Sequence, residues 1–101
     1  MQKRRLGRTN LQVSQVGFGG TWIAQLSLDE AIEVVQTAFE NGINYFDTAR
    51  WDGDSEQKLG TALKDVRESC VIATKTGSRT KRESLTDLKE SLSLLQTEKV
   101  D

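Results

Sequence analysis

Residues 44–56 read NYFDTARWDGDSE. A strand-like run, Ile43 to Phe46, ends in Asp47, and further acids follow at Asp52, Asp54 and Glu56. A second such run, CVIATK (70–75), ends in Lys75. A carboxylate and an ammonium group ending two runs can do chemistry if the fold sets them side by side. Pointing inward together, they would form a partly desolvated ion pair that lowers the carboxylate pKa and keeps the lysine charged. A fixed positive charge in a dry pocket lowers the pKa of a neighbouring hydroxyl or stabilises a developing oxyanion. A structural pair that only fixes strand register is the other reading, and position alone leaves both open.

The elements that must position these groups are legible from their caps. Ser27-Leu28-Asp29-Glu30 is a capping-box pattern. The stretch after it carries Ile32, Val35, Ala38 and Phe39 on one stripe, and Asn41-Gly42 supplies a left-handed stop. Asp54 to Gln57 repeats the cap more weakly before Leu59, Ala62 and Leu63. Thr80 to Glu83 repeats it strongly before Leu85, Leu88, Leu92 and Leu95, whose spacing marks a helix face. Ser55 and Glu56 read as capping residues.

Short strand-like runs lie before each helix: QVGFG (15–19), INYFD (43–47) and CVIATK (70–75). KVD (99–101) begins a fourth. RRLGRTNLQVS (4–14) reads as a hairpin around Arg8-Thr9-Asn10. Runs apolar on both faces, alternating with helices, indicate parallel strands covered by helices. The order is thus a hairpin followed by β-α-β-α-β-α-β in a single domain, residues 1–101. An open doubly wound sheet or part of a (β/α)8 barrel would give it. Gly17-Phe18-Gly19 supplies only the first half of a dinucleotide fingerprint, and its third glycine falls at Trp22. In either architecture the functional groups sit where the strands end: Gly19-Gly20, Asp47 and Lys75. The strands bearing Asp47 and Lys75 follow one another through one helix, so they are expected as neighbours, about 4.8 Å apart.

Composition narrows the class. Fourteen basic and fifteen acidic residues nearly cancel, which argues against a nucleic-acid footprint. Lys3, Arg4, Arg5 and Arg8 form a short basic cluster, read as a solvated edge. The single Cys70 excludes an internal disulfide and a multi-cysteine metal site, and the lack of histidine removes the commonest general base and zinc ligand. No apolar run approaches the roughly 20 residues that span a bilayer. The N-terminus lacks the apolar stretch of a signal peptide. The expectation is a soluble cytoplasmic protein with no membrane contact.

The ordered set RRLGRTNLQVSQVGFGG, GINYFDTARWDGDSEQKLGTAL and VIATK resembles the N-terminal third of the aldo-keto reductase superfamily. The resemblance runs from residue 4 to residue 101 and rests on several motifs at family spacing. It implies the N-terminal part of a (β/α)8 TIM barrel, with a leading hairpin and about three and a half βα units. It also implies reduction of aldehydes or ketones by hydride transfer from NADP(H), or NAD(H), with an Asp, a Tyr, a Lys and a His. The family aspartate lands on Asp47 and the family lysine on Lys75. Asp52, before Gly53, stands at the family tyrosine position. The family histidine would lie past Asp101. Gly19, Gly20 and Thr21 match the segment that approaches the nicotinamide ring, where glycine permits either close approach or a tight turn. GFGG, LSLDEA and DTARxxGDSE look most like a bacterial and archaeal branch, some members of which carry an iron–sulfur ferredoxin-like segment near the C-terminus.

Two functions follow from the resemblance. One is an oxidoreductase acting on a small carbonyl substrate, with this chain as its N-terminal portion. By itself the chain is expected to be inactive and to bind no cofactor. The other is a non-catalytic regulatory or binding barrel that has lost the tyrosine. An ordinary aspartate at position 52 is ionised at neutral pH and cannot donate a proton. Unpaired strand edges lead to the expectation of a homo-oligomer.

Overall fold

The computed structural model describes residues 1–101. The chain opens with an antiparallel hairpin, β1 (Lys3–Arg5) against β2 (Gln12–Ser14), with Arg4 opposite Val13. Three βα units follow: β3 (Phe18–Gly19) and α1 (Leu28–Glu40), β4 (Tyr45–Asp47) and α2 (Ser55–Leu63), β5 (Val71–Ala73) and α3 (Lys81–Leu94). The three strands form one parallel sheet in the order β3-β4-β5. Short 3-10 segments, Gly20–Gln25 and Lys64–Ser69, follow β3 and α2.

The helix starts form as their sequences dictate. Ser27 Oγ accepts the Glu30 N–H at 3.2 Å while Glu30 Oε2 accepts the Ser27 N–H at 3.0 Å, closing a full capping box. Thr80 Oγ1 likewise accepts the Glu83 N–H at 3.2 Å. α1 ends at Asn41, and Gly42 takes the left-handed φ of 97° that the stop requires. Asp54 departs from expectation. Its side chain makes no cap hydrogen bond and instead pairs with Lys58, Oδ1–Nζ 2.8 Å.

The core lies between the sheet and the helices. Phe46 and Ile72, at the centres of β4 and β5, point into it with Ala31, Val35, Leu59, Leu63 and Leu95, all at most 1 % exposed. Burying a side chain of this size contributes about 1.5–3 kcal/mol, so this layer fixes the strand alternation. Tyr45, Asp47, Val71 and Ala73 therefore face the opposite side. The α3 face is only partly buried: Leu95 is enclosed, whereas Leu85 and Leu88 are 49 % and 40 % exposed. Helical spacing put all four leucines on one face, but in this chain nothing covers the first turns.

Strands are shorter than the sequence runs. Lys75 lies two residues beyond β5, although the ladder continues irregularly through Thr48 N–H to Ala73 O (2.9 Å) and Arg50 N–H to Lys75 O (3.0 Å). Residues 99–101 form no strand. Asp101 nevertheless sits at the β5 edge, its N–H donating to Ile72 O at 2.9 Å and its Oδ2 accepting the Ile72 N–H at 3.0 Å. Arg67 clamps this edge by donating to Asp101 Oδ2 (2.8 Å), Cys70 O (2.8 Å) and Lys99 O (2.9 Å). Burial pushes the Asp101 carboxyl up, but the Ile72 N–H and Arg67 outweigh it and hold it below its ordinary value.

Candidate active site

The parallel register brings the strand ends together. Gly19 pairs with Asp47 across β3 and β4, and Asp47 pairs with Ala73 across β4 and β5. Lys75 reaches back over this rim. Its Nζ lies 2.7 Å from Asp47 Oδ1, 2.8 Å from Asp47 Oδ2 and 3.0 Å from Thr48 O. An ammonium has three N–H donors, and all three have acceptors here. The two side chains are 47 % and 46 % exposed, so the pair is wetter than the expected partly desolvated one.

Asp52 does not join the pair. The turn after β4 directs it toward the segment following β3, where it accepts the Thr21 hydroxyl, Oγ1–Oδ2 3.2 Å. Across the rim the order is thus Thr21 and Asp52, then Asp47, then Lys75. Tyr45, two residues before Asp47, packs toward Gly17 near the hairpin, away from the lysine.

Gly20 is required by packing. A Cβ there would lie 2.6 Å from Ser55 Oγ and 3.1 Å from Asp47 O, so this glycine lets α2 close on the strand ends. Gly19 has nothing within 4 Å of the Cβ position, which leaves open surface beside Asp47. Gly19 and Thr21 thus stand at an open stretch of the rim, and Gly20 packs behind them against α2. No group of three or more His, Cys, Asp or Glu side chains is placed to hold a metal.

Ser55 and Glu56 prove to be interior residues. Ser55 Oγ accepts the Thr48 hydroxyl at 2.8 Å, and both side chains are fully buried. Glu56, 1 % exposed, accepts Arg50 through a short ion pair and the Thr74 hydroxyl at 2.9 Å. The α2 N-terminus is thereby tied to the residues flanking both Asp47 and Lys75. The hydrogen bond to Glu56 raises the Arg50 pKa, against the opposing pull of burial. Behind the lysine, hydrogen bonds from Thr76 and Ser78 hold the Asp87 carboxyl below its ordinary value.

Arg50, Thr74 and Lys58 were not singled out by sequence. Lys58 is buried and donates to Ile23 O (3.1 Å), Ala24 O (3.1 Å) and Leu26 O (2.6 Å), closing the C-terminal end of the 3-10 segment that carries Thr21. Its spacing of four from Asp54 was the one available signal.

A model of the aldo/keto reductase family matches residues 15–101. L-galactose dehydrogenase of Arabidopsis thaliana is 41 % identical over 86 residues, which cover 76 % of this chain and 27 % of that protein. A protein of Oryza sativa subsp. japonica named as a probable voltage-gated potassium channel subunit beta is 36 % identical over 83 residues, covering 74 % of this chain and 25 % of that one. An aldo-keto reductase from Bacillus halodurans, in its holo form, superposes with a TM-score of 0.88 at 34 % identity, covering all of this chain and 38 % of that one. The chain thus spans about a quarter of the length of these curated relatives. Its hairpin and three βα units are the opening part of the TIM barrel these structures share.

Proposed function

Because the chain belongs to the aldo/keto reductase family, we propose that the intact protein carrying it is an oxidoreductase of the nicotinamide-dependent type. It acts on a polarised double bond of the carbonyl class. The observation that carries this reading is the Lys75–Asp47 pair at adjacent strand ends, on the rim where barrels of this type place their chemistry.

When bound, NADP(H) or NAD(H) supplies or accepts a hydride. Gly19 offers the open surface beside Asp47 against which a flat ring can lie, and Thr21 lines its edge. Asp47 holds the Lys75 ammonium by both carboxylate oxygens, so its charge stands at a fixed point on the rim. A preset charge stabilises negative charge developing on a substrate heteroatom without reorganising first. The Arg50–Glu56–Thr74 network holds the backbone on either side of that charge.

A second reading, a non-catalytic binding barrel, is favoured by one observation. Asp52, at the position the family resemblance gives to a proton donor, is turned toward Thr21 instead. Oxidation of NADPH and of NADH by the intact protein, with a panel of small aldehydes, separates the two. Turnover is expected, and Lys75→Met should lower kcat/KM about 100-fold or more. A Lys75→Met variant as active as the wild type would overturn the oxidoreductase reading of this rim.

A further inference from the structure

The two charged residues of the rim are held differently. Asp47 lies within β4 and is paired on both sides, with Gly19 of β3 and Ala73 of β5. Lys75 stands beyond the end of β5, on a flexible aliphatic stem, with 47 % of its side chain exposed. Packing does little to place its ammonium group, so the charge stands where the Lys75 backbone puts it. Lys75 O accepts the Arg50 N–H at 3.0 Å, which anchors that backbone on the β4 side.

A further anchor comes from α2. Strand alternation turns Thr74 toward the helix layer, as it turns the buried Ile72, and leaves Lys75 on the face that carries Asp47. Thr74 Oγ1 donates to Glu56 Oε2 at 2.9 Å. Glu56 is buried in the first turn of α2 and is itself held by Arg50, so this acceptor is fixed. The preceding residue of α2 serves the other charge in the same way. Thr48, next to Asp47, donates to the buried Ser55 Oγ at 2.8 Å. Consecutive residues of one helix thus grip the neighbours of both members of the ion pair.

We propose, on the hydride-transfer function put forward above, that Thr74 is a positioning residue for the reaction: its hydroxyl, seated on Glu56, sets where Lys75 stands on the rim. Thr74 touches no reacting atom. Its effect passes through the lysine, whose ammonium then meets Asp47 and Thr48 O. A charge placed in this way acts on negative charge that develops in the transition state. Loss of the placement therefore lowers kcat and leaves KM alone. A tie that merely joined sheet to helix would be felt in unfolding and not in kcat.

Thr74→Val keeps the side-chain shape and removes the hydroxyl, whereas Thr74→Ser keeps the hydroxyl. In the intact protein, with reduced nicotinamide and a small aldehyde, Thr74→Val should lower kcat about tenfold and leave KM within about twofold of the wild type. Thr74→Ser should recover most of that loss. A second measurement needs no turnover: acylation of lysine amines by a soluble ester, read residue by residue by mass spectrometry. Lys75 must leave Asp47 to react, so Thr74→Val should speed labelling of Lys75 several-fold and leave that of the exposed Lys89 unchanged. Unchanged kcat in Thr74→Val, unchanged labelling of Lys75, or a Thr74→Ser variant as slow as Thr74→Val overturns the proposal while leaving hydride transfer standing. Faster labelling of Lys75 in Thr74→Val, in a protein whose wild type oxidises no cofactor, keeps Thr74 as the anchor of the lysine but overturns the hydride-transfer reading and the catalytic meaning of the anchor with it.

Discussion

Lys75 grips Asp47 through both carboxylate oxygens, at 2.7 and 2.8 Å, although Asp47 ends β4 and Lys75 follows β5, with a whole helix between them in sequence. Neither residue is held by that contact alone. Thr74, beside the lysine, and Arg50, just beyond the aspartate, both bind the buried Glu56. The exposed pair stands on an interior polar bracket.

Glu56→Gln tests that bracket. The amide keeps an acceptor for Thr74 but leaves Arg50 without its buried counter-charge. Breaking such a pair costs about 3–5 kcal/mol when fully buried. Arg50 is partly exposed and keeps Glu90 at 3.5 Å, so a loss of about 2–3 kcal/mol is expected. Urea denaturation of the 101-residue chain measures it, and a change below about 0.5 kcal/mol would show that the network holds nothing.

Gly20→Ala tests the close approach of α2 to the strand ends. The added Cβ would meet Ser55 Oγ at 2.6 Å, in a site with no room to yield. Overpacking of this kind costs about 1–3 kcal/mol. Ser55→Ala removes the clashing oxygen, so the double variant should lose less than the two single changes added together. Strict additivity would mean that the contact is not the cause.

How far the sequence led can be judged on these same residues. Ser27, Thr80 and Gly42 act through their own few neighbours, and their signatures predicted their roles. Asp47 and Lys75 were legible because each ends an apolar run and parallel topology aligns such ends. Glu56 was misread as a cap because its partners, Arg50 and Thr74, meet it only once α2 docks on the sheet. Lys58 escaped for a related reason: it caps backbone carbonyls some 32 to 35 residues away. Leu85 and Leu88 showed the period of a core face, but period says nothing about what is present to cover it.

Cys70 should give the chain an alkaline limit. Burial pushes its thiol up to about 11 from 9.0, against the Arg67 charge and with help from Asp101. A raised folded pKa means that the unfolded chain gives up the proton first. The stabilisation is then complete below pH 9 and is lost as pH rises toward 11, by about 2 kcal/mol. Cys70→Ala should flatten that slope in denaturation curves taken at pH 8, 9, 10 and 11, and an identical slope in the variant would exclude the thiol as its source.

Self-association is expected through α3. Leu85 and Leu88 stand one turn apart on an exposed face and border a groove that also holds Val100. Sedimentation of the 101-residue chain at rising concentration should show a growing dimer fraction. Leu88→Lys should suppress it, and a monomer at every concentration would remove this face as an interface.

The central claim is hydride transfer at the Lys75–Asp47 rim, and isotope transfer reads it directly. The intact protein is supplied with reduced cofactor deuterated at the transferring position of the nicotinamide, together with a small aldehyde. Mass spectrometry of the product should find one deuterium on the former electrophilic carbon, and Lys75→Met should abolish its appearance. A product formed without deuterium, or deuterium transferred as well without the lysine, would contradict it.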